Sequence, residues 1–257
     1  MDIKIIVATH KKYWMPSDDI YLPVHVGKKG KTDLGYQGDD TGDNISDKNT
    51  NYCELTGLYW AWKNLKADYK GLAHYRRHFM VKGSKGTKEE KVLNRQQLEE
   101  LLKKTDIILP NPRNYFIETN YSQYVHAHHA QDLDVTRQIL DEKYPDYVKA
   151  FDETMKSTIG HRFNMFIMKK EILDEYCTWL FDILFELEKR TDASKYDSFH
   201  ARFYGRISEL LLDVWVNKNK IKYEEVKVID MQKVNWLKKG TSFLRAKFTG
   251  KKYEKSF

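Results

Sequence analysis

Apolar positions in this chain change spacing repeatedly, and the changes mark strands alternating with helices. Ile3 to Ala8 (IKIIVA) is an almost uninterrupted apolar run, which predicts a buried strand of a parallel sheet. Leu55, Leu58, Tyr59 and Trp62 follow the i, i+3, i+4, i+7 pattern of a helix, with Asn51 as its candidate cap. A second strand is expected over Tyr69 to His74 and a third over Asp106 to Pro110, with a helix from about Lys91 to Lys104 between them. Helices are predicted at roughly Val135 to Glu142 and Asp146 to Lys156, and a strand at Arg162 to Met168. The two best-marked amphipathic helices follow, one over Lys170 to Lys189 and one over about residues 197 to 216. Two long stretches, 13 to 50 and 111 to 134, lack strong periodicity and read as functional loops.

Alternation of this kind predicts an α/β fold. Nothing resembling a linker divides residues 1–232, so they are expected to form one domain, followed by a tail at 233–257. The chain has 257 residues, a formal charge of +7, and 41% apolar residues, which is ordinary globular composition. The charge is uneven. The tail carries eight basic residues against Glu254, which accounts for all of the +7 and leaves the body formally neutral. Nucleic-acid binding on the strength of the basic pI is therefore disfavoured. Tail aromatics such as Trp236, Phe243 and Phe248 among those lysines suit an anionic membrane surface, or else a segment packed on the body. The N-terminus meets charged residues too early for a signal peptide, and the expected location is cytoplasmic, with peripheral attachment at the inner membrane face. Cys53 and Cys177 are expected to be buried reduced thiols.

In an open α/β sheet, ligands lie beyond the carboxyl ends of the strands. Those positions are polar here: Thr9, His10, Lys11 and Lys12 after the first strand, His74, Arg76 and Arg77 after the second, and Asn164 within the fourth. Converging cationic loops suit a phosphate or diphosphate, because arginine offers a planar fork of donors. Neither a Gly-x-Gly-x-x-Gly after the first strand nor a P-loop is present, which argues against dinucleotide dehydrogenases and P-loop NTPases. Asp132 and Asp134 have the spacing of a carboxylate pair that could bind a metal or simply begin a helix. His126, His128 and His129 are open to contact with a substrate or to plain surface roles. Loop aromatics, including Tyr115, Tyr121 and Tyr124, could stack on bases or sugars.

Several strings resemble one family: ATHK at residues 8–11, QGDDTGDNIS ending at Ser46, YCELTGLYWAWKN at 52–64, GLAHYRRHF at 71–79, FNMFIM at 163–168 and RISELLLDVW at 206–215. The chain is similar over about residues 1 to 216 to bacterial exopolysaccharide and capsule glycosyltransferases long classed as a domain of unknown function, some of them galactofuranosyltransferases. That resemblance implies a GT-A-like domain that transfers a sugar from a UDP-sugar donor to a growing oligosaccharide; the expected sheet is mostly parallel and the expected acceptor a lipid-linked glycan. Position beyond the strands and the resemblance together give the expected donor contacts, Thr9, His10, Lys11, Lys12, Val26, Gly27, Asp43, Asn44, Ser46, His74, Arg76 and Arg77, with the fixed positive charge expected from Arg76, Arg77 and the two lysines. Tyr124, His128, His129 and Asn164 are the expected acceptor contacts. An inverting transfer needs a carboxylate base, for which Glu209 is the first choice and Asp132 and Asp134 the alternatives. Where familiar GT-A enzymes carry a metal-binding Asp-x-Asp, this chain has His74-Tyr75-Arg76-Arg77, so a Mn or Mg cofactor is open and fixed positive charge is the expected substitute. The competing class is a non-catalytic carbohydrate- or nucleotide-binding module.

Overall fold

The computed structural model describes residues 1–81, 83 and 85–232. The tail at 233–257, with its expected membrane role, lies outside the described residues. Strand β1 (Ile3–Thr9) is apolar on both faces because each face meets a core. Ile6 and Ala8 belong to one apolar cluster, and Ile3, Ile5 and Val7 to the other. β2 (Tyr21–His25) and β3 (Gln37–Gly38) extend the sheet on one side of β1, and β4 (Tyr69–His74) lies on the other, all parallel. Between them, α1 (Asn49–Tyr52) and α2 (Leu55–Asn64) carry the chain across one face. Asn51 lies inside α1, and Glu54 holds the N-cap position of α2 without a side-chain capping hydrogen bond.

The remaining half of the sheet is mixed, where a mostly parallel one was expected. β5 (Arg77–Met80) follows β4 after only Tyr75 and Arg76, and so short a connection can return only antiparallel. α3 (Arg95–Leu102) leads to β6 (Ile107–Pro110), then β7 (Arg113–Asn114), α4 (Asn120–Ala127), α5 (Ala130–Lys143) and α6 (Val148–Lys156). β8 (Ile159–Gly160) pairs with β7, and β9 (Phe166–Lys169) then enters antiparallel between β4 and β6. The reversal into β9 occurs at Phe163 and Asn164, both left-handed at φ 78° and 53°. Asn164 therefore stands in a turn before the strand, where a position within it was expected. The long helices α7 (Lys170–Arg190) and α8 (Phe203–Asn219) pack on the face shared with α2, and β10 (Glu224–Asp230) lies between β5 and β6.

One charged residue is part of this packing. Lys70, in the middle of β4 and buried, donates from Nζ to the carbonyls of Ala61 (3.2 Å) and Trp62 (3.3 Å). It thereby adds a second donor to the Ala61 carbonyl, which already accepts from Leu65 N, and places positive charge at the negative end of α2. Burial lowers its pKa. Among the described residues no helix is long and apolar enough to cross a membrane.

Candidate active site

Ala8 pairs with His74, so the carboxyl ends of β1 and β4 are neighbours, and a cleft opens beyond them. It is lined by Cys53, Glu54, His74, Arg77, Phe163, Arg202, Gly205, Arg206 and Glu209. Four segments supply these side chains: the β4–β5 hairpin, the α1–α2 junction, the turn before β9, and the start of α8 with its N-cap residue Arg202.

On the hairpin, His74 Nε2 donates to the Phe163 carbonyl at 2.6 Å, which fixes the neutral tautomer with Nδ1 as acceptor. Burial lowers the pKa of His74. Arg77 is buried, pairs through Nε with Asp230 at 3.4 Å, and lies over the Phe163 ring at 4.2 Å. Burial and the adjacent Arg76 pull its pKa down to about 10, so it remains charged at neutral pH. Arg113 lies over the same Phe163 ring at 4.6 Å. Arg76 is half-buried at the tip of the hairpin.

Arg202, Arg206 and Glu209 are spaced i, i+4, i+7 and so lie on one face at the start of α8. Arg206 Nη1 meets Glu209 Oε1 at 3.2 Å. Burial opposes the Arg206 charge, but Glu209 and Glu54 offset it and leave its pKa above the ordinary value. Glu209 stands in the second turn of α8, so simple complementation of the helix dipole is a poor account of it.

At the α1–α2 junction, Cys53 has φ 53°, a region that side chains other than glycine seldom occupy. This bend turns Glu54 into the cleft. Asn164 Nδ2 donates to Glu54 Oε1 at 2.7 Å and to the Gly205 carbonyl at 3.0 Å, tying the starts of α2 and α8 together. Arg202 Nε donates to Cys53 Sγ at 3.0 Å, and burial raises the pKa of that thiol. Both cysteines are free, Cys177 buried and Cys53 partly exposed.

Of the expected site residues, His74, Arg77 and Glu209 line the cleft, and Asn164 braces it from behind. The His10 residue is exposed beside it, and partial desolvation of its ring, followed by Lys11, Arg202, Lys31 and Arg76, lowers its pKa, so several cations crowd the mouth. Lys11 is exposed over the rings of Tyr13 and Tyr75, and Lys12 is exposed. Thr9 is fully buried, its hydroxyl donating to the Lys11 carbonyl at 2.6 Å. Val26 is buried, and Gly27 N donates to Asp39 Oδ2 at 2.7 Å. Asp43 accepts from the Tyr59 hydroxyl, Asn44 bonds within its own loop, and Ser46 donates to Asp39. These groups shape the loop beside the cleft but do not line it.

The other expected residues gather elsewhere. Asp132 is fully buried and accepts from the hydroxyls of Tyr124 (3.0 Å) and Tyr196 (2.8 Å), while Asp134 is exposed on α5. Neither carboxylate lines the cleft. Tyr124 spends its hydroxyl on Asp132, His128 stacks on Phe199, and His129 stacks on Tyr196. Sequence reasoning missed Glu54, Phe163, Arg202 and Arg206. The polar i, i+4, i+7 stripe on an otherwise apolar helix was the available signal for the last two.

The donor set does not suit a divalent cation. Three guanidiniums face the cleft, the histidine has one nitrogen committed to a carbonyl, and each carboxylate already has a partner. Among the described residues no group of three or more His, Cys, Asp or Glu side chains is placed to hold a metal ion.

Comparison with known proteins gives two findings. A family model described as a domain of unknown function (DUF4422) matches residues 4–220. Among solved structures, the apo structure of a WbbM bifunctional glycosyltransferase is similar, with a TM-score of 0.84 and 32% identity. The match covers 91% of this chain and 46% of that one, so the chain spans about half the length of that protein. No curated protein matches.

Proposed function

The chain belongs to the DUF4422 family, and from that membership and the chemistry of the cleft we propose that it is a glycosyltransferase of GT-A-like fold using a UDP-sugar donor. The observation that carries this reading is the convergence of Arg77, Arg202 and Arg206 with two carboxylates, Glu54 and Glu209, beyond the carboxyl ends of β1 and β4. Similarity to a bifunctional glycosyltransferase over nine-tenths of the chain supports it. The sequence resemblance suggests galactofuranose as the sugar, and the proposed acceptor is a lipid-linked glycan.

In the inverting reaction we propose, an acceptor hydroxyl oxygen forms a bond to the anomeric carbon while the bond from that carbon to the diphosphate breaks. The electron pair leaves with UDP, and the hydroxyl proton passes to a carboxylate. Fixed guanidinium charge around the departing diphosphate lowers the barrier because it needs no reorganisation as charge develops. Arg77 and Arg206 are the principal ligands in this scheme, with Arg76 and Lys11 at the mouth, and no step passes through a metal. Glu209 is the proposed base. One observation favours a second reading, with Glu54 in that role: its partner is the neutral amide of Asn164, whereas Glu209 is paired with a guanidinium.

The test is a panel of UDP-sugars with EDTA present, read as melting temperature. A donor at about a hundred times its Kd stabilises by about 2.7 kcal/mol. A rise with one UDP-sugar that disappears in Arg77→Ala is expected. No rise with any donor, or a rise indifferent to Arg77→Ala, overturns the proposal.

A further inference from the structure

Four large apolar side chains are exposed around the β7–β8 pair and the start of α4: Phe116 (81%), Ile117 (68%), Ile159 (47%) and Tyr121 (40%). The backbone brings them together. Asn114 on β7 pairs with Ile159 on β8, Tyr115 N donates to the Thr158 carbonyl at 2.8 Å, and Asn120 Nδ2 donates to the Ile159 carbonyl at 3.0 Å. Phe116 is left-handed at φ 59°, a conformation that bulky side chains avoid. Phe116 N is held by Asn114 Oδ1 at 2.8 Å, and Ile117 N by the Tyr115 carbonyl at 2.6 Å. Below the tip, Arg162 Nε donates to the Tyr115 hydroxyl, and Thr119 caps α4. The fold thus spends backbone strain and several hydrogen bonds to hold two apolar side chains out in water.

Charge and size indicate what would cover them. The one carboxylate in the segment, Glu118, is turned inward, 4% exposed, and meets His126 at 3.1 Å. Two cations flank the tip, Lys156, exposed at the end of α6, and Arg113, half-buried on β7, while the exposed Glu153 of α6 faces Lys149 at 4.0 Å. A stable protein interface needs about 800 Å² and twenty or more residues from each partner, far more than a tip of four side chains presents. An apolar protrusion flanked by positive charge matches the interface of a bilayer carrying anionic headgroups. Arg113 also stacks on Phe163 of the cleft, so a surface that received the tip would lie beside the cleft mouth.

We propose that the tip formed by Phe116, Ile117, Tyr121 and Ile159 inserts into an anionic membrane and holds the cleft against it. The inference rests on the proposed function only for its purpose, delivery of a lipid-linked acceptor. The test is cosedimentation of the full chain with vesicles of phosphatidylglycerol and phosphatidylcholine, against phosphatidylcholine alone. Residues 233–257 are present in every protein compared, so their contribution cancels. Replacing Phe116 and Ile117 by Ser is expected to lower the partition coefficient about tenfold or more, with far-ultraviolet dichroism and UDP-sugar binding unchanged. Lys156→Gln is expected to weaken binding a few-fold on the anionic vesicles alone. Unchanged partitioning of the double variant overturns the proposal, as does a wild-type chain that ignores both vesicles. So does a wild-type dimer, seen by sedimentation velocity, that the double variant dissociates. Vesicle binding is read without turnover, so a chain that binds vesicles but no donor would refute the proposed function and leave this inference standing.

Discussion

Arg206 and Glu209 lie one helical turn apart on α8, so removing the Glu209 charge affects two things at once: proton acceptance and the alignment of the Arg206 guanidinium. Kinetics can separate them. If Glu209 takes the proton, Glu209→Gln lowers kcat about 10²- to 10⁴-fold and removes the acidic limb of the pH profile, while donor KM changes little. If it only orients Arg206, the same variant raises donor KM, and the loss of kcat appears in Glu54→Gln. Either variant keeping wild-type turnover excludes its residue as the base. His74, Arg77 and Glu209 were legible because they follow strands or sit in a distinctive string. Glu54 was not, because what directs it inward is the positive φ of Cys53, a backbone choice that sequence pattern does not reveal. Asp132 shows the converse. Its pairing with Asp134 resembles a site in sequence, yet two tyrosine hydroxyls from α4 and from residue 196 claim it.

The loop from Gly27 to Thr56 has little periodic pattern, and a single buried carboxylate organises it. Asp39 accepts from Gly27 N (2.7 Å), Lys28 N (3.1 Å), Ser46 Oγ (2.5 Å) and Thr56 Oγ1 (2.6 Å), joining the ends of β2 and β3 to the first turn of α2. Asp39→Ala leaves Gly27 N, Lys28 N and Ser46 Oγ without this acceptor, with only the Cys53 carbonyl at 3.1 Å for Thr56 Oγ1, and is expected to cost about 2–4 kcal/mol in denaturant unfolding. Because Thr56 follows Glu54 by two residues, donor binding should weaken as well. A variant as stable as the parent would show that the loop is held by other means. Elements with strong periodicity, β1, α2, β4, β6 and α7, were legible to within a residue or two. β2 was not, since Pro23 and mixed polarity disguise it. β10 has one buried position in seven, so its pattern carries little apolar signal, and its place is set by pairing with β5 and β6. α4 and the start of α5 lie in the Tyr- and His-rich segment, whose polar surface reads as loop.

Across the whole molecule, the histidines favour a fold that is weakened by acid. His10, His25, His74 and His78 all have pKa values lowered in the folded chain, each chiefly by burial. His78 is the extreme case. It is fully buried and packs edge-on to Trp14 and Tyr21, and the backbone of Tyr75 only partly offsets the cost of burying its charge. Its pKa falls from 6.5 to about 4. Between those values the unfolded chain binds a proton that the folded chain refuses, so stability rises with pH across that window. Above pH 6.5 both states are neutral and the effect vanishes; below about 4 it is complete, and amounts to about 3 kcal/mol for this one group. His78→Phe keeps an aromatic ring against Trp14 and Tyr21 while removing the titration. Melting followed from pH 8 down to pH 4 should therefore show the two proteins falling at different rates, with the variant losing less stability below pH 6.5. Parallel curves through that range would mean that His78 is protonated without cost in the folded state, and that the acid sensitivity resides in the other three rings.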